Sequence, residues 1–140
     1  GEAFAQKIDL AYPGYDYDDL MSVVDYLVAE NYVSKDRLFV TGGSGGGILT
    51  AWIVGKTDRF AAAASIKPVI NWMTMALAAD IAAFVKRHWI RAEPWEDPDA
   101  FLDRSPIMLI ENVSTPTLVM VGEEDWRTPT WEAEQFYTAL

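Results

Sequence analysis

Residues 38–49 read Leu38-Phe39-Val40-Thr41-Gly42-Gly43-Ser44-Gly45-Gly46-Gly47-Ile48-Leu49. The apolar run within Arg37 to Thr41 is β-prone, as in a parallel strand covered on both faces. An apolar helix begins near Ile48 and runs towards Val54. Between them one serine stands among five glycines and fits G-x-S-x-G. A serine there occupies a sharp, strained turn that lifts its hydroxyl above the sheet edge. Small neighbours let strand and helix approach closely. The N–H of Gly45 then faces the space where a carbonyl oxygen becomes negative, and the helix dipole adds to it.

Two rivals to this nucleophile turn are a phosphate-binding loop and a purely structural turn. A P-loop requires Lys and then Ser or Thr after the glycines, where this chain has Ile48-Leu49. A dinucleotide fingerprint requires an acid at the end of a second strand, and Lys67 falls near that position.

Upstream, residues 1–16 are aperiodic and read as an entering loop. Leu20, Val23, Val24 and Leu27 recur at helical spacing from about Tyr17, with Asp16, Asp18 and Asp19 suited to the helix start and Asn31 to its end. Downstream, Phe60 to Ile66 reads as a strand despite its alanines, and residues 69–92 as apolar helical material. Pro94, Pro98 and Pro106 punctuate turns around a short helix. Thr117 to Val121 is the next clear strand, and a last helix follows Pro129. This order implies a largely parallel α/β sheet flanked by helices.

The formal charge of −10, from 21 acids against 11 Lys and Arg, disfavours nucleic acid and anionic membranes. With no cysteine there is no disulfide, thiol nucleophile or thiolate-held metal. The single histidine adds too little for a zinc cluster, so no metal or cofactor is expected. No run approaches the ~20 apolar residues that cross a bilayer, and the start lacks a signal-peptide pattern. A soluble, cytoplasmic protein is the expectation, with oligomerisation through open strand edges.

A carboxylate just after the 117–121 strand shares a rim with Ser44, where it can orient an imidazole. Sequence alone leaves Glu123, Glu124 and Asp125 as rivals. His88 precedes them, which breaks the Ser–acid–His order, and beside Lys86 and Arg87 it reads as a surface or packing residue. Trp72, Trp89, Trp95 and Trp126 are candidates to line a pocket, Trp126 first because it adjoins Asp125.

Several stretches together resemble the catalytic domain of the prolyl oligopeptidase family, on its acylaminoacyl peptidase and dipeptidyl peptidase side. Asp19, Leu27, Gly42, Ser44, Gly46, Gly47, Ile48 and Leu49 fall in register with its pattern. Asp58-Arg59-Phe60, Ser105-Pro106 and Gly122-Glu123-Glu124-Asp125-Trp126-Arg127-Thr128-Pro129 are similar too. Two positions depart: Val23 where the pattern favours Ala, and Gly45 where it usually has Tyr.

The resemblance implies a partial α/β-hydrolase fold, with residues 1–140 an incomplete catalytic domain and material missing at both ends. It selects Asp125 as the acid beside the nucleophile Ser44 and the oxyanion donor Gly45, and implies a histidine base beyond Leu140. The expected activity of the complete protein is serine hydrolysis of peptides or acylated peptides through an acyl-enzyme, with these 140 residues nearly inactive alone. Carboxylesterase activity and a non-catalytic scaffold are the alternatives.

Overall fold

The computed structural model describes residues 1–140. A short helix α1 (Glu2–Ala5) and a 3-10 turn (Gln6–Ile8) lead through a loop to α2 (Tyr15–Ala29). Then come β1 (Phe39–Gly43), α3 (Gly45–Lys56), β2 (Ala62–Ile66), α4 (Trp72–Ala78), α5 (Ala82–Phe84), a π-helical turn (Val85–Ile90), α6 (Pro98–Leu102), a 3-10 segment (Pro106–Asn112), β3 (Thr117–Met120) and α7 (Thr130–Ala139).

The three strands form one parallel sheet in the order β1-β2-β3. Gly43 pairs with Ile66, and Ile66 with Met120, so the carboxyl ends of all three strands lie level. The alanines of β2 hold a strand because it is the central one, hydrogen-bonded on both sides. Tertiary pairing overrides their poor propensity.

Val40, Ala63 and Val119 turn towards a core made with Ala51 and Val54 of α3, Ile70, and Phe136 of α7. Met21 of α2 joins Leu38, Ile53 and Phe60 beside it. On the opposite face Phe39, Leu118 and Met120 are exposed. The expectation of a first strand covered on both faces therefore holds for only one face.

Several sequence boundaries shift. Residues 1–16 contain two helical turns, and α2 starts at Tyr15. Its buried face is set by Met21, Val24 and Val28, while Leu20 and Val23 of the expected stripe are exposed. The 69–92 segment breaks into three pieces. Asn71 caps the first by accepting the Met73 N–H at 3.0 Å, and Asp80 leaves the helix at Ala79 to reach another element. No helix is long and apolar enough to cross a membrane.

Candidate active site

Ser44 stands between β1 and α3 with φ 56° and ψ −117°. That combination lies outside the small left-handed well open to L residues and costs roughly 1–3 kcal/mol. The surrounding backbone holds it. The Ser44 N–H donates to the Ile66 carbonyl at 2.9 Å, and the Ser44 carbonyl accepts the first α3 bond from Ile48 at 3.0 Å.

Two of the five glycines are required by close approach. A Cβ at Gly42 would sit 2.4 Å from the Gly46 carbonyl oxygen, and one at Gly47 2.4 Å from the Ile66 carbonyl oxygen. Strand and helix can therefore cross at backbone distance only with hydrogen at these positions. The Ser65 hydroxyl of β2 donates to the Gly47 carbonyl at 2.8 Å and ties the helix start to the sheet, while the Thr50 hydroxyl bonds the Gly46 carbonyl one turn back within α3, also at 2.8 Å.

The Ser44 side chain is exposed. The N–H of Gly45 belongs to the first turn of α3, outside the intrahelical ladder, and is free to meet developing negative charge.

Asp125 follows β3 in a turn closed by its N–H to the Gly122 carbonyl at 3.1 Å. One carboxylate oxygen, Oδ1, accepts the N–H groups of Thr128 at 2.9 Å and Arg127 at 3.0 Å. These bonds, that of Thr128 foremost, hold the carboxyl below the usual aspartate range, with the Lys67 ammonium adding to the effect. Oδ2 carries no backbone donor and stays open to an incoming N–H.

Ser44 and Asp125 share one rim because their strands end level, with β2 between them. Two strand spacings put those ends roughly 10 Å apart, a gap an imidazole and its hydrogen bonds can bridge.

The acid turn is clamped from outside. Asp80 receives the Arg127 Nε at 2.7 Å and Nη2 at 3.2 Å, while its N–H donates to the Trp126 carbonyl at 3.0 Å.

Glu132 was missed altogether. Completely buried in α7, it accepts the N–H groups of Ile70 at 2.9 Å and Asn71 at 3.0 Å and the Thr74 hydroxyl. Burial pushes its pKa up against those bonds. Its i, i+4 setting beside Phe136 is the only sequence hint of an inward face.

A cavity of about 320 Å³ opens beside Gly45, walled by Ile8, Leu10, Tyr12, Trp72 and Trp89 among others. Trp72 and Trp89 meet edge to face at 5.1 Å. Trp72 is fixed by its indole N–H to the Arg104 carbonyl at 2.9 Å and its backbone N–H to the Ser105 hydroxyl at 2.8 Å. Ser105 itself is buried, so its Ser-Pro motif serves structure.

Trp126, the first pocket candidate in the sequence, is 65% exposed beside the acid and is not part of this wall. Its neighbour Arg127 turns to Asp80, leaving the indole outside. Trp95 is exposed as well. His88 lines the cavity from an exposed position, its ring 4.7 Å from that of Phe84, and hydrogen-bonds neither Ser44 nor Asp125.

A parallel sheet with a strained serine after one strand and an ionised aspartate after another defines a part of an α/β-hydrolase-type fold. Comparison with known proteins agrees: residues 1–140 match the prolyl oligopeptidase family along their whole length, and the chain belongs to that family. It is 40% identical over 141 residues to the uncharacterized peptidase YuxL of Bacillus subtilis and 33% identical over 148 residues to the acylamino-acid-releasing enzyme of Arabidopsis thaliana. All of the chain is covered in both, but only 22% and 19% of those relatives, so it spans about a fifth of their length.

Among solved structures, the acylaminoacyl peptidase of Pyrococcus horikoshii superposes over the whole chain with a TM-score of 0.91 at 26% identity, using 23% of its own length. A puromycin-hydrolyzing peptidase of Mycobacterium tuberculosis gives 0.90 at 26% identity, using 21% of its length.

Proposed function

We propose that this chain carries the nucleophile and the acid of a serine hydrolase that cleaves peptides or N-acylated peptides in the complete protein. The observation that carries the reading is the exposed, strained Ser44 on the same sheet edge as a carboxylate held ionised. The names of relatives that release acylamino acids or hydrolyse puromycin support the substrate class.

In this reading Ser44 Oγ adds to the acyl carbon while its proton passes to an imidazole from elsewhere in the complete protein. The carbonyl electrons move onto oxygen, facing the Gly45 N–H. Collapse expels the amine, which takes the proton from the imidazole and leaves acyl-Ser44. Water then repeats the sequence and releases the acid.

Asp125 orients the imidazole through Oδ2 and stabilises its cationic form. Within the chain no imidazole bonds Ser44, so these 140 residues alone have little turnover.

The test is turnover by the complete protein of an N-acetyl amino-acid amide and a short p-nitrophenyl ester, side by side. Ser44-dependent cleavage of the amide is expected. Ester cleavage alone would favour a carboxylesterase. An unchanged biological activity in Ser44→Ala would favour a scaffold.

A further inference from the structure

We propose that Tyr12 sets the size of the cavity beside Ser44 and braces the nucleophile turn, making it a specificity-determining and positioning residue; this rests on the serine-hydrolase reading above. Gly45 has no side chain to wall the cavity next to the serine. A Cβ built there would meet the Tyr12 hydroxyl oxygen at 3.1 Å, so the space such a side chain would enter is already filled from the loop before α2. That hydroxyl donates to the Gly45 carbonyl across 33 residues of sequence.

The Tyr12 ring is itself held, packing on the cluster of Trp72 and Phe101, with its centroid 6.2 Å from that of Trp89. Three aromatic rings thus form one wall assembly around an apolar space, and only Tyr12 reaches the nucleophile turn. Its hydrogen bond adds a second hold on the peptide after Gly45, at the start of α3 beside Ser44.

Removing the hydroxyl frees the turn, and removing the ring opens the cavity towards Gly45. The remaining charges narrow the ligand class. Asp9 is bound by Arg91 at 2.8 Å. Arg104, whose pKa burial lowers, bonds only the carbonyls of Ala100 and Trp89. A lining cation without a carboxylate partner disfavours a cationic guest, and the largely apolar, aromatic walls suit a large apolar or aromatic group.

The experiment uses the complete protein. Tyr12→Phe keeps the wall and loses the bond, so kcat on an N-acetyl-phenylalanine amide falls about three- to tenfold with KM little changed. Tyr12→Ala raises KM for that substrate about tenfold or more relative to its alanine counterpart. Gly45→Tyr alone is impaired by collision with Tyr12, and Tyr12→Gly in the same protein restores activity.

A binding readout on the Ser44→Ala background needs no catalysis. Tryptophan fluorescence titrated with N-acetyl-phenylalanine amide should report binding about tenfold weaker with Tyr12→Ala. Equal binding there, an unchanged KM ratio, or no rescue of Gly45→Tyr would overturn the proposal. Binding that responds to Tyr12 in a protein that turns over neither the amide nor a p-nitrophenyl ester would instead sink the hydrolase reading and leave the role of Tyr12 in the cavity standing.

Discussion

Asp80 grips the Arg127 guanidinium with both carboxylate oxygens, at 2.7 and 3.2 Å, and its own N–H bonds the carbonyl of Trp126. The segment just after α4 is thereby fastened to the turn that carries Asp125. Both side chains are substantially exposed, so the pair adds little to global stability. Its effect is local, on where Asp125 points. Asp80→Ala should lower kcat of the complete protein about fivefold or more while the thermal midpoint moves by only a degree or two. Steady-state kinetics beside a thermal melt checks both halves.

Asp125→Asn separates charge from turn geometry. An asparagine Oδ1 can still accept the Thr128 and Arg127 N–H groups, so the fold should persist. Without a carboxylate to orient the imidazole, kcat should drop by about 10⁴. The wild-type group has a folded pKa below its unfolded value near 3.9. Its contribution to the turn is present above that pH and disappears as pH falls through the lower folded value. Acid unfolding curves of wild type and Asp125→Asn should therefore converge only below about pH 4.

Glu132 has the opposite sign. Burial raises its folded pKa above the unfolded value near 4.3, so its protonated form favours folding. That contribution is complete below the unfolded pKa and is lost as pH rises through the folded one. Glu132→Gln, which retains an acceptor for the Ile70 and Asn71 N–H groups, should flatten this part of the pH–stability curve. Glu132→Ala leaves two backbone donors unsatisfied and should cost about 3 kcal/mol. Denaturant titrations at several pH values read both.

The glycines of the nucleophile turn are not equivalent. Gly47→Ala drives a Cβ to 2.4 Å from the Ile66 carbonyl oxygen and should destabilise by about 3 kcal/mol or more. Gly46 has open space at the same test, and Gly46→Ala should be neutral or stabilising by up to about 1 kcal/mol. Paired urea melts would contradict the close-crossing account if the two variants behaved alike.

Local backbone demands were legible in the sequence, and distant partners were not. The turn at Ser44 announces itself because strained geometry and backbone crossing tolerate few residue types. The strand ending before Gly122 does so because Pro116 and Gly122 bracket an apolar run. On α2, Leu20 and Val23 have the period of an apolar stripe and are exposed, while Val24 of that stripe meets the core together with Met21 and Val28. Periodicity gives a stripe but not which neighbour covers it.

Asp80 with Arg127, Tyr12 with Gly45, and Glu132 with Ile70 join residues 47, 33 and 62 apart. Such pairings arise only when the sheet brings its strand ends level. The break of residues 69–92 into three pieces follows the same logic, since Asp80 is drawn out by a partner far along the chain.

The central claim is that Ser44 is the activated hydroxyl and that Asp125, on the same rim, supports its activation. Fluorophosphonate treatment of the complete protein, followed by mass-spectrometric mapping, tests it directly. The adduct should lie on Ser44, vanish in Ser44→Ala, and form far more slowly in Asp125→Asn. An adduct on another residue, or a rate indifferent to Asp125, would contradict it.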